Sequence, residues 1–128
     1  MVYVHKLCDL DPDIYSCVSP RILTTEVVIT EERIAHIQAH HPQDYERFSA
    51  YIPAMIEDPD YILADARPNI AMLLKQAAQC GAHFRLALRV VSPQDRGGYK
   101  NSVLTFMKIR EKEWRRLLHN KKILYKRE

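Results

Sequence analysis

The sequence predicts an α+β domain, in which N-terminal helices pack on a four-stranded antiparallel sheet and a basic helix follows near the C-terminal end. Helical periodicity dominates residues 31–55, whereas short apolar runs dominate residues 61–109. The connections between these runs are short and contain proline or glycine, which favours antiparallel hairpins over crossovers. A chain of 128 residues with 47% hydrophobic content can form one core, so we expect one domain.

The N-terminal end predicts an irregular arm over residues 1–25, followed by a single domain over residues 26–128. The arm shows little periodicity and contains Pro12, Pro20 and several aspartates, which interrupt regular structure. Towards its end, a β-branched run over residues 22–29 predicts a strand.

Two helical segments follow this strand. Thr30 and the two glutamates after it predict the N-cap of a helix that runs from Glu31 to about His41. Pro42 ends this helix, because proline lacks an amide donor and restricts the residue before it. Apolar residues at helical spacing then predict an amphipathic segment, broken or kinked at Pro53. Its core stripe consists of Tyr45, Phe48, Ile52 and Met55.

The sheet is predicted from four apolar runs, over residues 61–65, 70–76, 83–91 and 102–109. In the third run, large apolar residues alternate with a set of mostly basic residues, which predicts one apolar and one basic face. That second set is His83, Arg85, Ala87 and Arg89. Residues 111–119 then predict a basic amphipathic helix, and residues 123–125 are compatible with one last short strand.

The composition excludes several classes of protein. No apolar stretch approaches the ~20 residues that cross a bilayer, and the first residues lack the order of a signal peptide. Cys8, Cys17 and Cys80 form no CxxC pair, so neither a disulfide framework nor a zinc ribbon is indicated. No GxGxxG, Walker or GxSxG motif occurs. We therefore expect a cytoplasmic protein with no membrane span and no cofactor.

The charge is distributed unevenly along the chain. Residues 1–95 contain 8 Lys and Arg against 13 Asp and Glu, a net charge of −5. Residues 96–128 contain 11 against 3, a net charge of +8, although the whole chain carries only +3. A basic last quarter favours a phosphate-backbone partner, but a solvated basic surface helix explains it equally well.

The sharpest chemical feature is a basic face on the helix that begins at Glu31. At 100° per residue, Arg33, His36 and His40 fall within about 60° of one another, nearly opposite Ile34. Histidine exchanges protons near neutral pH, so this set suits acid–base chemistry on a phosphate. The alternatives are exposed helix histidines without a role and, more weakly, a zinc site, since the glutamate of HExxH is absent.

Polar residues in and beside the predicted strands are further candidates. Lys75 interrupts an apolar run, and Ser102 and Thr105 lie in the fourth strand. In a regular strand, positions 102 and 105 point to opposite faces, so both cannot line one site. Tyr99 and Lys100 follow two glycines and offer an aromatic ring and a cation, as a nucleotide clamp or simply as a hairpin turn.

The order of these pieces resembles a known family, the phage-associated branch of the barnase, EndoU, colicin and RelE-like (BECR) nuclease fold. The resemblance covers roughly residues 26–126 and rests on the succession of five motifs. These are VVITEERIAHIQAHHP, YIPAMIEDPDYIL, a strand that ends in LLKQ, YKNSVLTFMKI and a closing KKILYK.

The resemblance implies metal-independent RNA cleavage by a toxin or phage-linked protein, with helices packed on an antiparallel sheet. By position, the family's helix histidine corresponds to His36 and its strand lysine to Lys75. The hydroxyl residues of the NS-x-x-T strand correspond to Ser102 and Thr105. An immunity or antitoxin protein is then an expected partner.

The leading interpretation is an endoribonuclease that acts on tRNA or another structured RNA through the neighbouring 2′-OH. His36 is the expected general acid or base, His40 its partner, Lys75 the charge stabiliser, and Ser102 or Thr105 a hydrogen-bond donor to the phosphate. The expected RNA-binding residues are Arg33, Arg85, Arg89, Tyr99 and Lys100. The alternatives are a nonenzymatic nucleic-acid- or protein-binding module and a DNA-processing accessory of a phage.

Overall fold

The computed structural model describes residues 4–93, 95, 97 and 99–127, in which a seven-stranded mixed sheet forms the centre. Its strands are β1 (Val4–Asp9), β2 (Glu26–Thr30), β3 (Tyr61–Ala64), β4 (Ile70–Gln76), β5 (His83–Arg89), β6 (Asn101–Ile109) and β7 (Ile123–Lys126). The order across the sheet is β1-β2-β6-β5-β4-β3-β7. β2 and β6 are parallel, and the other neighbours are antiparallel.

The α+β class is confirmed, but two parts of the prediction are wrong: the sheet is not four-stranded and antiparallel, and the helices are not grouped ahead of it, because strands β1 and β2 precede α2. The four strands of the predicted sheet are β3 to β6, and β1, β2 and β7 extend the sheet on both sides. The runs over residues 22–29 and 123–125, predicted as strands outside that sheet, correspond to β2 and β7. β2 lies second from one edge of the sheet, where it pairs with β6 in parallel orientation. This pairing joins distant segments of the chain, so it leaves no local signal in the sequence.

The expected irregular arm is also corrected. Its first part is β1, which pairs with β2, and α1 (Pro12–Tyr15) follows. Leu10 and Tyr15 are buried in the core, and the Tyr15 hydroxyl donates a hydrogen bond to the carbonyl of Ile56 at 2.7 Å. Residues before position 26 therefore contribute both a strand and core side chains.

The helices follow the predicted order with different limits. They are α2 (Glu31–His40), α3 (Pro42–Phe48), α4 (Ile52–Glu57) and α5 (Glu111–Asn120), with a 3-10 turn over Ser49–Tyr51. Thr30 caps α2, because its hydroxyl accepts the amide of Arg33 at 3.1 Å. The predicted amphipathic segment is divided by the 3-10 turn, and Pro53 lies in the first turn of α4, where proline is tolerated.

The two faces of the sheet are covered differently. The main core lies on one face and includes Ile37 of α2, Met55 of α4 and Phe84 of β5. On the other face, α5 covers a second, smaller core over β3 and β4, where Leu117 packs with Leu63 and other apolar residues. Beside β6, the same face carries two cavities whose lining includes no residue of α5. We call this second face the open face.

None of the helices in the described part of the chain has the length and apolar character needed to cross a membrane. Part of the predicted loop between β5 and β6, namely Gln94, Arg96 and Gly98, lies outside the described residues.

Candidate active site

Helix α2 and strand β6 form a groove on the open face of about 320 Å³. The groove is lined by Arg33, His36, His40, His41, Arg67, Leu104, Thr105 and Met107. α2 takes this position because Ile37 is buried in the main core, which turns the basic stripe of the helix away from it. The predicted helix face thus lines a cavity. We call this cavity the α2–β6 groove.

The two helix histidines contact each other at the mouth of the α2–β6 groove. The ring centroids of His36 and His40 lie 4.4 Å apart with an interplanar angle of 34°. Nδ1 of His40 lies 3.0 Å from the carbonyl oxygen of His36. A carbonyl oxygen only accepts, so Nδ1 of His40 carries the proton and Nε2 is left as its basic nitrogen.

Two arginines bring positive charge to the α2–β6 groove. Arg33 comes from the first turn of α2, and Arg67 comes from the turn between β3 and β4. Asp65 fixes Arg67, because its Oδ1 accepts from Nε at 3.0 Å and its Oδ2 accepts from a terminal nitrogen at 3.2 Å. These hydrogen bonds from Arg67 lower the pKa of Asp65. Among the described residues, no carboxylate forms an ion pair with Arg33.

A bulge in β6 places Ser102 and Thr105 on the same face. Thr105 pairs with Ala87, and Ser102 pairs with Arg89, two residues further along β5. Leu104 is the extra residue, so the register shifts by one between these pairs. Opposite faces were expected only for a regular strand. Because directly paired residues share a face, both hydroxyls lie on the open face.

Lys75 lies on the other face of the sheet. It pairs with Phe84, a residue of the main core, whereas Arg85 and Thr105 belong to the open face. Its ammonium donates to the carbonyl of Asp58 at 2.5 Å and lies 3.7 Å from carboxylate oxygens of Asp58 and Asp60. The structure therefore does not bring Lys75 together with the helix histidines.

The remaining predicted RNA-binding cations lie on or beside the open face, and each has a carboxylate partner. Arg85 lies 3.8 Å from Glu113 of α5, Lys100 lies 2.7 Å from Glu26, and Arg89 bonds Asp95. Arg89, Lys100, Ser102 and the exposed Tyr99 line a second pocket beside the α2–β6 groove.

Two further residues were not predicted from the sequence. Arg67 belongs to a short turn whose position over the α2–β6 groove depends on tertiary packing. Asn101 is fully buried, and its side chain accepts from the amide of Val91 at 2.8 Å and donates to the carbonyls of Thr24 and Glu26 at 2.7 and 3.1 Å. Its position next to Ser102 in the NS-x-x-T motif is the sequence signal that could have identified Asn101.

The α2–β6 groove combines three chemical capacities. The imidazoles can accept and donate protons, the guanidiniums can bind an anion, and the hydroxyl of Thr105 can donate a hydrogen bond to a phosphate oxygen. Within the described residues, no group of three or more His, Cys, Asp or Glu side chains is arranged to hold a metal ion. The arrangement therefore suits proton transfer at a bound phosphodiester.

Comparison with known proteins gives one match. The model of the phage-Barnase-EndoU-ColicinE5/D-RelE like nuclease2 family matches residues 10–126. Comparisons with curated proteins and with solved structures each gave no match. The family match begins within the segment expected to be an arm, in agreement with the burial of Leu10 and Tyr15. Because the match spans most of the chain, this protein belongs to the phage-Barnase-EndoU-ColicinE5/D-RelE like nuclease2 family.

Proposed function

We propose that the protein is a metal-independent endoribonuclease that cleaves tRNA or another structured RNA in the α2–β6 groove. The observation that carries this proposal is the convergence of a contacting histidine pair, two arginines and a strand hydroxyl in one cavity. The family supplies the nuclease class, and the groove supplies residues that can cleave RNA through its own 2′-OH.

The reaction needs a base and an acid. His40 accepts the proton of the 2′-OH at Nε2, and the 2′ oxygen then forms a bond to the adjacent phosphorus. His36 donates a proton to the 5′ oxygen as its bond to phosphorus breaks. The products are a 2′,3′-cyclic phosphate and a 5′-hydroxyl, so the proton taken up by one histidine balances the proton released by the other.

The transition state carries additional negative charge on the phosphate oxygens. Arg33 and Arg67 provide cations for this charge, and Thr105 provides a hydrogen bond from the sheet. In this mechanism Lys75 has no contact with the phosphate, because it lies on the other face of the sheet.

The same proposal includes a cytoplasmic location and a protein partner. Cys8, Cys17 and Cys80 are free thiols, which suits a reducing cytoplasm. An immunity or antitoxin protein that covers the α2–β6 groove would block the reaction by excluding RNA.

A binding module remains the second candidate, and one observation favours it. Several lysines near the C-terminal end are exposed, namely Lys112, Lys121, Lys122 and Lys126. Such a surface binds an RNA backbone without chemistry.

Incubation of the purified protein with total RNA, followed by end-group analysis, separates the two candidates. Cleavage that leaves cyclic phosphate ends and disappears in the His36→Ala variant supports the enzyme. Salt-sensitive binding without any cleavage supports the binding module.

A further inference from the structure

A second pocket lies beside the α2–β6 groove, with a volume of about 420 Å³. It is lined by Val4, Val28, Thr30, Arg89, Tyr99, Lys100 and Ser102. Tyr99 leaves 51% of its surface exposed, although a large apolar side chain in this position would gain from being covered. We call this cavity the Tyr99 pocket.

The Tyr99 pocket and the α2–β6 groove share the open face of β6. Ser102 lines the pocket and Thr105 lines the groove, and the bulge at Leu104 directs both side chains to that face. The strand rise separates the two residues by only about 7–10 Å. Val28 of β2 lies beside Ser102 and continues the same surface towards the edge of the sheet. One extended polynucleotide can therefore contact both cavities.

The two cavities differ in charge. In the Tyr99 pocket, Arg89 is paired with Asp95 and Lys100 with Glu26, so the cations are largely neutralised. In the α2–β6 groove, Arg67 is likewise paired with Asp65, but Arg33 forms no ion pair among the described residues, and the His36–His40 pair lies in the same lining. The groove is therefore suited to a phosphate, whereas the pocket offers an aromatic ring, aliphatic side chains and hydroxyls.

We propose that the Tyr99 pocket binds an unpaired nucleobase of the RNA, next to the phosphate that is cleaved in the α2–β6 groove. This inference rests on the proposed function, because the groove defines where the phosphate lies. An aromatic ring stacks on the face of any base, the hydroxyl of Ser102 can hydrogen-bond its edge, and the hydroxyl of Thr30, which caps α2 as an acceptor, can still donate its proton to it. A base inside a duplex cannot present its face, so the substrate is single-stranded at the cleavage point.

Binding of an uncleavable oligonucleotide tests this proposal. The probe is a single-stranded RNA with methylated 2′-hydroxyls, used intact and with an abasic site at each position in turn. Affinity is measured for the wild type, Tyr99→Ala, Tyr99→Phe and Ile123→Ala. Ile123 is the control, because it is an exposed apolar residue at the opposite edge of the sheet.

Tyr99→Ala should weaken binding of the intact probe by about 5-fold to 150-fold, which is the range for loss of one base–aromatic stack. It should have little effect on the probe whose abasic site removes the stacked base. Tyr99→Phe keeps the ring face and should bind almost as the wild type does, as should Ile123→Ala. A fully paired RNA should show no dependence on Tyr99.

Several results would overturn the proposal: an equal loss for intact and all abasic probes, no loss with Tyr99→Ala, or no binding of the probe by the wild type. The outcome also separates the two proposals. If Tyr99 dependence holds but the wild type cleaves no RNA, the base pocket stands and the endoribonuclease proposal fails. If the wild type cleaves RNA and Tyr99→Ala keeps its affinity and rate, the nuclease stands and the base pocket fails.

Discussion

Ser102 and Thr105 are three positions apart in one strand, yet the bulge at Leu104 places both on the same face of the sheet. A regular strand would direct one hydroxyl into the core. Instead, Thr105 lines the α2–β6 groove and Ser102 the Tyr99 pocket. Bulges are frequent next to active sites, where they redirect a side chain without ending the strand.

The helix histidines provide the first prediction. His36→Ala should reduce RNA cleavage by at least about 100-fold, because general acid–base catalysis typically contributes 100-fold to 10,000-fold. The melting temperature should change little, since His36 is exposed. The measurements are cleavage rate at saturating RNA and thermal unfolding.

Gln38→Ala is the matched control, because Gln38 is an exposed residue of the same helix that does not line the groove. It should keep full activity. Equal activity in His36→Ala and the wild type would remove His36 from the mechanism, and a large fall in melting temperature would assign it a structural role.

The second prediction concerns metal dependence. Cleavage should continue in EDTA and leave 2′,3′-cyclic phosphate ends, because acid, base and cations are all supplied by side chains of the α2–β6 groove. The checks are end-group analysis and elemental analysis of the purified protein. Stoichiometric zinc that is lost together with activity would instead favour a metal site at His36 and His40.

Local sequence patterns predicted the elements that show a clear side-chain periodicity. The basic stripe of α2, the alternation in β5 and the amphipathic character of α5 all follow from side-chain periodicity. By contrast, β1 was missed because its residues are mostly exposed and alternate poorly, so that its pairing with β2 defines it as a strand. The limits of the helices between residues 42 and 57 also depend on packing beyond the local periodicity.

Only part of the candidate site could be predicted in this way. The arrangement of Arg33, His36 and His40 on one helix face follows from helix geometry alone. The entry of Arg67 into the groove, the bulge at Leu104 and the position of Lys75 on the other face depend on how strands pair. Strand pairing joins distant segments, so a single sequence does not reveal it.

A third prediction concerns the reactivity of Cys8. Burial, followed by the nearby carboxylates of Glu57 and Asp9, raises the pKa of Cys8 to about 12. The thiolate is the reactive form, so alkylation by iodoacetamide at pH 8 should be at least about 100-fold slower in the folded protein than in urea.

The measurement uses a Cys17→Ser, Cys80→Ser variant, so that Cys8 is the cysteine being followed. Raising the pH towards the pKa of Cys8 in the folded protein should accelerate its alkylation. The free energy of unfolding should fall over the same pH range, because a raised thiol pKa favours folding only while the thiol is protonated. Equal rates in folded and unfolded protein would show that Cys8 is accessible.

The fourth prediction concerns the buried amide of Asn101. Asn101→Ala should lower the free energy of unfolding by about 2–4 kcal/mol, because it leaves the buried amide of Val91 and two carbonyls without their partner. Asn101→Asp should not restore stability, since it keeps the acceptor but places a charged oxygen against the carbonyls of Thr24 and Glu26. Urea unfolding measures both, and a near-wild-type Asn101→Ala would contradict the assignment.

The last prediction separates Lys75 from the α2–β6 groove. The family resemblance makes Lys75 a charge stabiliser, but in the structure its ammonium is held by Asp58 and Asp60 on the other face of the sheet. Lys75→Ala should therefore lower the free energy of unfolding by about 1–3 kcal/mol while the saturated cleavage rate stays close to that of the wild type.

Lys75→Met and a C-terminal variant make this test specific. Lys75→Met keeps most of the apolar stem, so it isolates the loss of the charge and hydrogen bond. Lys121→Ala with Lys122→Ala should weaken RNA affinity and reduce the slope of log affinity against log salt concentration by about 1–2. The cleavage rate at saturating RNA and the free energy of unfolding should not change. A Lys75 variant that folds normally but has lost the chemical step would show that the lysine reaches the phosphate after all. The catalytic centre would then have to include the face of the sheet that carries Phe84.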